Sequence, residues 1–329
     1  MRAAVCREYG PPEPVAVEND WPSADMRDDQ VRVRIGAAAV NFPDVLMVAN
    51  KYQVTAPVPF VPGSEFAGVV AAAGPSVADF TVGDRVMGTT MVGAFAEEIV
   101  VSPGSLTAIP DGVPDASAAA FGVAHRTAYH VLRSVACVAP DERLVVLGAG
   151  GGVGLAAVQL GALLGASVTA VASSEEKLAV ARSFGAAVTM NHKAPGSAGG
   201  LRAALKEAFP SGVDVVVDPV GGDLAEPALR ALRWNGRFVT VGYAAGRVPK
   251  IPLNLVLLKG CRILGFQMRA FSANAPEERA RDERELMELL AAGQALPHIG
   301  ATFKLAEAAA ALRHVAGGQA VGKVVLEIS

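Results

Sequence analysis

Two kinds of apolar pattern follow one another along the chain and divide it into two parts. Up to about residue 120 the apolar runs are short and β-like, with Pro and Gly between them, as in an irregular and mostly antiparallel domain. They lie at 31–40, 65–73 and 94–101. From Leu144 onward, strand-like and helix-like patterns alternate, which is typical of a doubly wound parallel sheet.

The alternating part is predicted to contain six strands joined by helices. The strands are placed at 145–147, 168–171, 188–190, 213–217, 238–241 and 262–265, and the helices at 155–164, 175–184, 198–208 and 225–232. Helices at 277–292 and 305–315 and a strand at 323–328 follow without a further βαβ partner, so we expect the carboxyl terminus to return to the first domain. The predicted fold class is α/β, with a mostly-β domain at 1–124 and 268–329 and a Rossmann domain at 125–267.

Residues 144–174 carry no charge and are long enough to cross a bilayer. We predict no membrane helix there, because a glycine-rich turn at 148–154 separates a short strand from a helix and a second strand follows. Both faces of parallel strands are buried in a βαβ unit, which explains the apolar composition without lipid.

Composition narrows the class of partner. The chain has 329 residues, of which 51% are hydrophobic, and a net charge of -3, so no basic field favours nucleic acid or an anionic membrane. Cys6, Cys137 and Cys261 lie far apart, which argues against a disulfide framework and a structural zinc site. The first residues lack the apolar core of a secretory signal. We expect a cytoplasmic protein that binds a small molecule.

The glycine-rich turn is the first feature that predicts chemistry. Ala149, Gly151 and Gly154 occupy the three positions of a dinucleotide-binding fingerprint, between a strand and a helix. The helix amino terminus near Gly152 and Val153 offers unpaired N–H groups and a positive dipole end to a pyrophosphate.

The end of the second strand indicates which dinucleotide is bound. An acid there would bind the ribose hydroxyls of NAD, but this chain has Ser173 and Ser174, followed by Lys177. Hydroxyls and an ammonium donate hydrogen bonds to a 2'-phosphate, so NADP(H) is predicted. NAD would compete if Glu175 reached the ribose instead of opening the next helix. His192, after the third strand, either lies over the adenosine phosphate or is an ordinary surface histidine.

Eight short runs, spread over nearly the whole chain, carry a resemblance to a known family. The chain resembles the zinc-independent quinone oxidoreductase branch, also called zeta-crystallin-like, of the medium-chain dehydrogenase/reductase superfamily. The runs are Val-Asn-Phe-Pro-Asp (40–44), Pro-Gly-Ser-Glu-Phe-Ala-Gly-Val-Val (62–70), Gly-Asp-Arg-Val (83–86), Gly-Ala-Phe-Ala-Glu (93–97), Thr-Ala-Tyr-His (127–130), Gly-Ala-Gly-Gly-Gly-Val-Gly (148–154), Asp-Pro-Val-Gly-Gly (218–222) and Gly-Lys-Val-Val-Leu (322–326).

The resemblance implies a GroES-like catalytic domain beside the Rossmann domain, and homodimers that pair the edge strands of their nucleotide domains. In the zinc enzymes of the superfamily a Cys, a His and a third Cys or acid bind the catalytic metal. The matching positions here are Asn41, Ser64 and about Val123, none of which is a good zinc ligand. A reaction without a metal is therefore expected.

The resemblance also implies roles for individual residues. Asn41 and Asp44, expected in a loop after the strand ending at Val40, match positions at the substrate cleft; alternatively they only bond nearby backbone in a turn. Tyr52 matches a pocket tyrosine that alternatively is only structural. Thr127 matches the residue beside the nicotinamide carboxamide. Glu65 is expected to be a structural partner for backbone or an arginine. The remaining expected cofactor contacts are Val241, Gly242, Tyr243, Phe266, Met268 and Lys323.

One departure from the family leaves a question open. His125 and Arg126 stand where relatives usually have Tyr-Gly. The arginine either attracts an anionic substrate or cofactor phosphate, or points to solvent.

The predicted function is NADPH-dependent hydride transfer to a quinone or an α,β-unsaturated carbonyl, with the proton supplied by water or Tyr52. The first alternative is an enoyl-thioester reductase, as in the enoylreductase domains of polyketide synthases. The second is a binding role, since some family members serve as lens crystallins or bind RNA, although the acidic balance offers RNA no electrostatic footprint.

Overall fold

The computed structural model describes residues 1–194 and 200–328. The strands are β1 Ala3–Val5, β2 Ala16–Glu18, β3 Val31–Val40, β4 Glu65–Ala73, β5 Arg85–Thr89, β6 Glu98–Val101, β7 Leu106–Ala108, β8 Arg143–Leu147, β9 Ser167–Ala172, β10 Val188–Asn191, β11 Val213–Asp218, β12 Leu232–Thr240, β13 Arg262–Gly265, β14 Ile299–Lys304 and β15 Lys323–Glu327. The α-helices are α1 Phe42–Val48, α2 Asp115–Ala119, α3 Gly122–His130, α4 Gly152–Leu163, α5 Glu175–Ser183, α6 Gly200–Ala208, α7 Ala225–Arg230, α8 Asn254–Lys259, α9 Met268–Asn274, α10 Pro276–Ala291 and α11 Ala308–Ala316. A π-helical turn, Val131–Val135, continues α3.

The chain forms two compact units. The first comprises residues 1–123 with the segment from Leu290 onward, and the second comprises Ala124–Leu289. We predicted the second boundary near residue 267, whereas the structure places α9 and α10 in the second unit. The reason is a set of polar contacts between distant residues: Glu285 on α10 accepts hydrogen bonds from Tyr129 and Arg133.

The first unit is built around β3, because that strand pairs with three others. It pairs with β4 on one side, and on the other its amino half pairs with β6 and its carboxyl half with β15, all antiparallel. Strand order is β14-β15-β3-β4-β5-β7. The predicted return of the carboxyl terminus is confirmed for β15 and α11. Strand β14 was not predicted, since alternate residues of this edge strand are exposed and one is a glycine. Of the predicted 94–101 strand, only the second half is regular.

The prediction of a loop after Val40 is wrong, because α1 begins at Phe42, directly after its N-cap Asn41. Asn41 is the N-cap, Pro43 lies in the first turn, and the Asp44 carboxylate accepts a hydrogen bond from the Asn41 backbone N–H at 2.7 Å. These residue types satisfy the unpaired N–H groups at a helix start. The short helix thereby fixes Asn41 and Asp44 relative to β3.

The second unit confirms the predicted doubly wound sheet. Its six strands are all parallel, in the order β10-β9-β8-β11-β12-β13. The chain passes from β8 outward to β9 and β10, then crosses back to β11, so the strand order reverses between β8 and β11. Ligands of open α/β sheets bind at the carboxyl ends of strands at such a reversal. The predicted helix 198–208 is observed as α6, and residues 198–199 lie outside the described residues.

The charge-free segment 144–174 divides into β8, α4 and β9, as predicted. Among the residues that the structure describes, no helix is long and apolar enough to span a bilayer.

Candidate functional site

The glycine turn joins β8 to α4 at the carboxyl edge of the parallel sheet. Gly148 has a positive φ of 62°, and the Ala149 N–H donates to the Val171 carbonyl at 3.0 Å, which ties the turn to β9. A Cβ on Gly154 would lie 2.1 Å from the Gly148 carbonyl oxygen, so only glycine permits this close approach of helix and turn. Gly151 is the N-cap of α4, so the helix begins directly after the turn, as the fingerprint predicts.

The residues after β9 form the start of α5 and engage Glu175 with neighbouring side chains. Ser174 caps α5 by accepting a hydrogen bond from the Lys177 backbone N–H at 3.4 Å. Glu175 lies on α5 as expected, where its carboxylate accepts a hydrogen bond from Asn191 at 3.1 Å and lies 3.6 Å from Arg182. These contacts turn Glu175 toward β10, which favours the NADP(H) interpretation over NAD.

Three cationic or titratable groups converge beside the turn. The Lys177 side chain lies over Gly150, at a position where a Cβ would be 2.6 Å from its carbons. Burial, and then the positive charge of Lys193, lowers the pKa of Lys177. Burial also lowers the pKa of His192, followed by the charges of Lys193 and Lys177. Like charges that repel one another in a half-buried position are relieved by a bound anion, so the cluster fits a phosphate.

Asp218 is a buried residue at the end of β11 that sequence reasoning did not single out, and it anchors two loops. The Val241 N–H donates to the Asp218 carbonyl at 2.8 Å, and the Asp218 carboxylate accepts from the N–H groups of Val220 and Gly221, both at 2.8 Å. Burial raises the pKa of Asp218. The Asp-Pro-Val-Gly-Gly run contained this signal, because a carboxylate followed by small residues can close such a turn. The Asp218 carboxylate thus closes the turn after β11, and the Asp218 backbone carbonyl anchors the loop that carries Val241, Gly242 and Tyr243.

Helix α3 carries Thr127 in the second unit, directly after His125 and Arg126, the two residues that depart from the family pattern. His125 Nε2 lies 3.0 Å from Gln159 Oε1 on α4, and Arg126 Nε lies 2.9 Å from Glu283 Oε2 on α10. The Arg126 side chain is 15% exposed. Neither expectation for Arg126 is favoured, since the guanidinium is mostly buried and paired with a carboxylate. Thr127 itself is half-buried.

The first unit contains a buried polar cluster that joins β3, β4 and β15. Lys323 Nζ donates to Asn41 Oδ1 and to Glu65 Oε1, each at 2.5 Å. Asn41 Nδ2 donates to Glu65 Oε1 at 2.9 Å and to Ser64 Oγ at 3.4 Å. Glu65 Oε2 accepts from the Val123 N–H at 2.7 Å. The expected structural role of Glu65 is confirmed, with a lysine in place of an arginine.

Asp44 and Tyr52 belong to the same cluster. Burial raises the pKa of Asp44 to about 7, although the hydrogen bond from the Asn41 backbone opposes this shift. Burial, and then the charge of Asp44, raises the pKa of the Tyr52 hydroxyl. Asn41, Asp44 and Tyr52 therefore lie near one another in the first unit, and Lys323, which was expected at the cofactor, lies with them.

The comparisons with known proteins agree with this architecture. A family profile described as alcohol dehydrogenase GroES-like domain matches residues 27–111, and one described as zinc-binding dehydrogenase matches 152–292. Quinone oxidoreductase-like protein 2 of Bos taurus is 35% identical over 329 residues, which cover 99% of this chain and 92% of that protein.

Two further relatives differ in kind. The polyketide synthase GfsB of Streptomyces halstedii is 35% identical over 312 residues, which are 93% of this chain and 5% of the synthase. The crystal structure of Escherichia coli quinone oxidoreductase complexed with NADPH has a TM-score of 0.88 and 26% identity, with 100% of both chains covered. The chain is thus an oxidoreductase of the medium-chain dehydrogenase/reductase superfamily and belongs to its quinone oxidoreductase branch.

Proposed function

We propose that this chain uses NADPH to reduce a quinone or another conjugated carbonyl, without a metal. The observation that carries the proposal is the Lys323 ammonium, which is hydrogen-bonded to Asn41 and Glu65 in the first unit. By the resemblance, Asn41, Ser64 and Val123 stand at the ligand positions of the zinc enzymes.

A metal ion has no suitable donor set at these positions. Asn41 Oδ1 is bound to the ammonium, both Glu65 oxygens accept hydrogen bonds, and Val123 contributes only its backbone N–H. Zinc in proteins is bound by thiolate, imidazole or carboxylate. Among the described residues no group of three His, Cys, Asp or Glu side chains is placed to hold a metal ion. A lysine already supplies the positive charge in this cluster.

A reaction without a metal favours a conjugated acceptor. Reduction of an ordinary ketone builds an alkoxide, for which the pKa of water, about 15.7, is a fair proxy. Reduction of a quinone or enone leaves the charge on a conjugated oxygen, comparable to a phenolate with a pKa of about 10. The difference of roughly 6 pKa units means that the protein must supply about 8 kcal/mol less free energy to stabilise the charge. Hydrogen bonds and orientation therefore suffice.

NADPH, when bound, supplies a hydride from the nicotinamide ring. The protein's own groups bind the cofactor, orient the acceptor and protonate the reduced product. Lys177, His192 and Ser173 select the 2'-phosphate, and the glycine turn binds the pyrophosphate. The raised pKa of Tyr52 keeps its hydroxyl protonated, as donation to a carbonyl oxygen requires. Asn41 and Asp44 form the base of the acceptor site. Close alignment of donor and acceptor carbons is worth several kcal/mol of the barrier.

The test is NADPH oxidation by the purified protein with 9,10-phenanthrenequinone, enals and enoyl thioesters, repeated with NADH and after chelator treatment. We expect turnover of a conjugated acceptor, preference for NADPH and no effect of the chelator. Absence of turnover with every acceptor would refute the proposed activity, and loss of activity on chelation would refute the metal-free mechanism.

An enoyl-thioester reductase is the second candidate, because the similarity to a polyketide synthase extends over 93% of this chain. In that case an enoyl thioester of CoA or of a carrier protein would exceed every quinone in kcat/KM in the same panel. A protein that binds NADPH tightly and reduces neither class would instead have a binding role.

We also propose that the chain forms a homodimer through β13. This strand lies at the edge of the parallel sheet and pairs only with β12 among the described residues. Leu253, Leu257 and Leu258 on or beside α8, which precedes β13, are 78%, 78% and 68% exposed. An unpaired edge beside an exposed apolar surface is a template for a second chain. Light scattering should give a dimer for the wild type and a monomer for Leu257→Asp, whereas Leu163→Asp, on α4, should stay dimeric. A monomeric wild type would contradict the proposal.

A further inference from the structure

A buried ionic cluster in the second unit is not used by the chemistry described so far. His130, the last residue of α3, and Asp282 on α10 are both fully buried, and His130 Nδ1 lies 2.9 Å from Asp282 Oδ2. The other ring nitrogen, Nε2, lies 3.4 Å from Glu283 Oε1. One imidazole therefore lies between two carboxylates in the interior of the unit.

The two carboxylates receive further contacts from α3, from α10 and from the π-helical turn. Ser134, on the π-helical turn, donates to Asp282 Oδ2 at 2.6 Å, and Arg281 donates to Asp282 Oδ1 at 2.7 Å. Arg126 pairs with Glu283. Burial lowers the pKa of His130, but the hydrogen bonds to Asp282 and Glu283 and their charges outweigh burial, so the net pKa is raised. The protonated imidazole is the form that the cluster stabilises.

Two phenylalanine rings complete the surroundings of His130. The His130 ring centroid is 4.8 Å from that of Phe271 and 6.3 Å from that of Phe266, and the two phenylalanine rings are 5.6 Å apart. Phe266 immediately follows β13 and its N–H donates to the Thr240 carbonyl at 3.1 Å. Thr127 lies one turn before His130 on α3. His130 therefore contacts one predicted nicotinamide residue and shares a helix with another.

Stability alone does not account for this arrangement. Burying an ion pair costs desolvation energy, and packed apolar side chains of similar volume are often as stable. The same helices are already joined nearer the surface, where Glu285 accepts hydrogen bonds from Tyr129 and Arg133. The buried cluster differs in one respect: it fixes the orientation of a ring that lies against Phe266.

We propose that His130, held between Asp282 and Glu283, is a positioning residue that fixes Phe266 and Thr127 for the nicotinamide half of the cofactor. The inference rests on the proposed function, in which those two residues contact the nicotinamide. We expect the cluster to affect only that half, since the residues proposed to bind the adenosine 2'-phosphate lie at the end of β9 and on α5.

Two ligands separate the halves of the cofactor. NADPH contains the nicotinamide, and 2',5'-ADP retains the adenosine 2'-phosphate without it. We expect Asp282→Asn and His130→Gln to weaken NADPH binding about tenfold and to lower kcat by about 10- to 100-fold, because small misplacements are costly in hydride transfer. Affinity for 2',5'-ADP should be unchanged. Glu285→Gln, which weakens the contact between the same helices nearer the surface, should leave the affinities for both ligands unchanged.

The pH profile provides a readout that a purely structural role would not move. As pH rises above about 6.5, the ordinary pKa of histidine, and through the raised value of His130, the imidazole loses its proton and its pairing with Asp282 and Glu283. The NADPH dissociation constant of the wild type should rise across this range while that for 2',5'-ADP stays flat. In Asp282→Asn the rise should begin at lower pH, and in His130→Gln it should be absent.

The double variant His130→Gln/Asp282→Asn guards against misfolding, because it removes both charges of the His130–Asp282 pair together and keeps the pairing of Glu283 with Arg126. It should bind 2',5'-ADP like the wild type and NADPH weakly. Wild-type NADPH affinity and kcat in this variant, or equal losses for both ligands, would overturn the inference. NADPH binding without reduction of any conjugated acceptor would refute the proposed activity, while the comparison of the two ligands would still decide the role of His130.

Discussion

Replacement of Lys323 by methionine should destabilise the first unit by about 3 kcal/mol. The Glu65 side chain is 1% exposed and the Lys323 side chain 4% exposed, so the variant leaves a buried carboxylate without its cation. Removing one partner of a buried pair costs about 3–5 kcal/mol. The lower end applies here, because the Val123 N–H and the Asn41 amide still donate to Glu65. Methionine fills a similar volume, which limits the contribution of a cavity.

Two further variants isolate the charge. Glu65→Gln/Lys323→Met removes both charges and should recover most of the lost stability, since neutral isosteres of a buried pair are often nearly neutral in effect. Lys304→Met removes a surface pair with Glu327, whose side chains are 69% and 47% exposed, and should cost less than about 1 kcal/mol. The comparison distinguishes buried from exposed lysines on neighbouring strands.

The tryptophans allow the first unit to be followed by itself. Trp21 lies in the first unit and Trp234 in the second, and the chain has no other tryptophan. Urea unfolding followed by Trp21 fluorescence in a Trp234→Phe background therefore reports the relevant unit. In thermal unfolding, the expected loss of about 3 kcal/mol of unfolding free energy corresponds to a decrease in the melting temperature of roughly 6–12 °C for a unit of this size. If Lys323→Met is as stable as Lys304→Met, the Lys323 ammonium does not compensate Glu65 and the metal-free argument loses its support.

Three other predictions concern the cofactor turn and the first-unit carboxylate. Gly154→Ala should lower the unfolding free energy of the second unit by about 1–3 kcal/mol, because its Cβ meets the Gly148 carbonyl, whereas Gly151→Ala, 3.5 Å from the same oxygen, should fold normally; equal denaturation midpoints would contradict this. Lys177→Met should weaken NADPH binding about tenfold and leave NADH unchanged by fluorescence titration, and equal losses for both would count against a 2'-phosphate contact. Asp44 binds its proton up to about pH 7 when folded but only to about 3.8 when unfolded, so stability should fall by about 4 kcal/mol as pH rises between these values. Asp44→Asn should flatten that dependence in urea titrations, and an unchanged slope would show that another group is responsible.

Local signals were sufficient wherever a structure depends on neighbours in the chain. The glycine spacing of 148–154 predicted a strand, a turn and a helix, because Gly154 permits the close approach of the helix to Gly148, only a few residues away. The parallel sheet followed from alternating periodicity. The short helix α1 was missed although its signals were present, since the Asn, Pro and Asp were interpreted as a loop rather than as a helix start.

Contacts between distant residues could not be predicted in this way. Asn41 and Lys323 are 282 positions apart, and His130 and Asp282 are 152 apart. The first pair meets because β15 joins β3 in one register, with Val324 opposite Val40. The second meets because α10 remains in the second unit. Sequence alone thus determined the family, the dinucleotide turn and the poor zinc ligand at Ser64. Tertiary structure decided that a lysine supplies the buried positive charge, because only strand pairing brings Lys323 to Glu65.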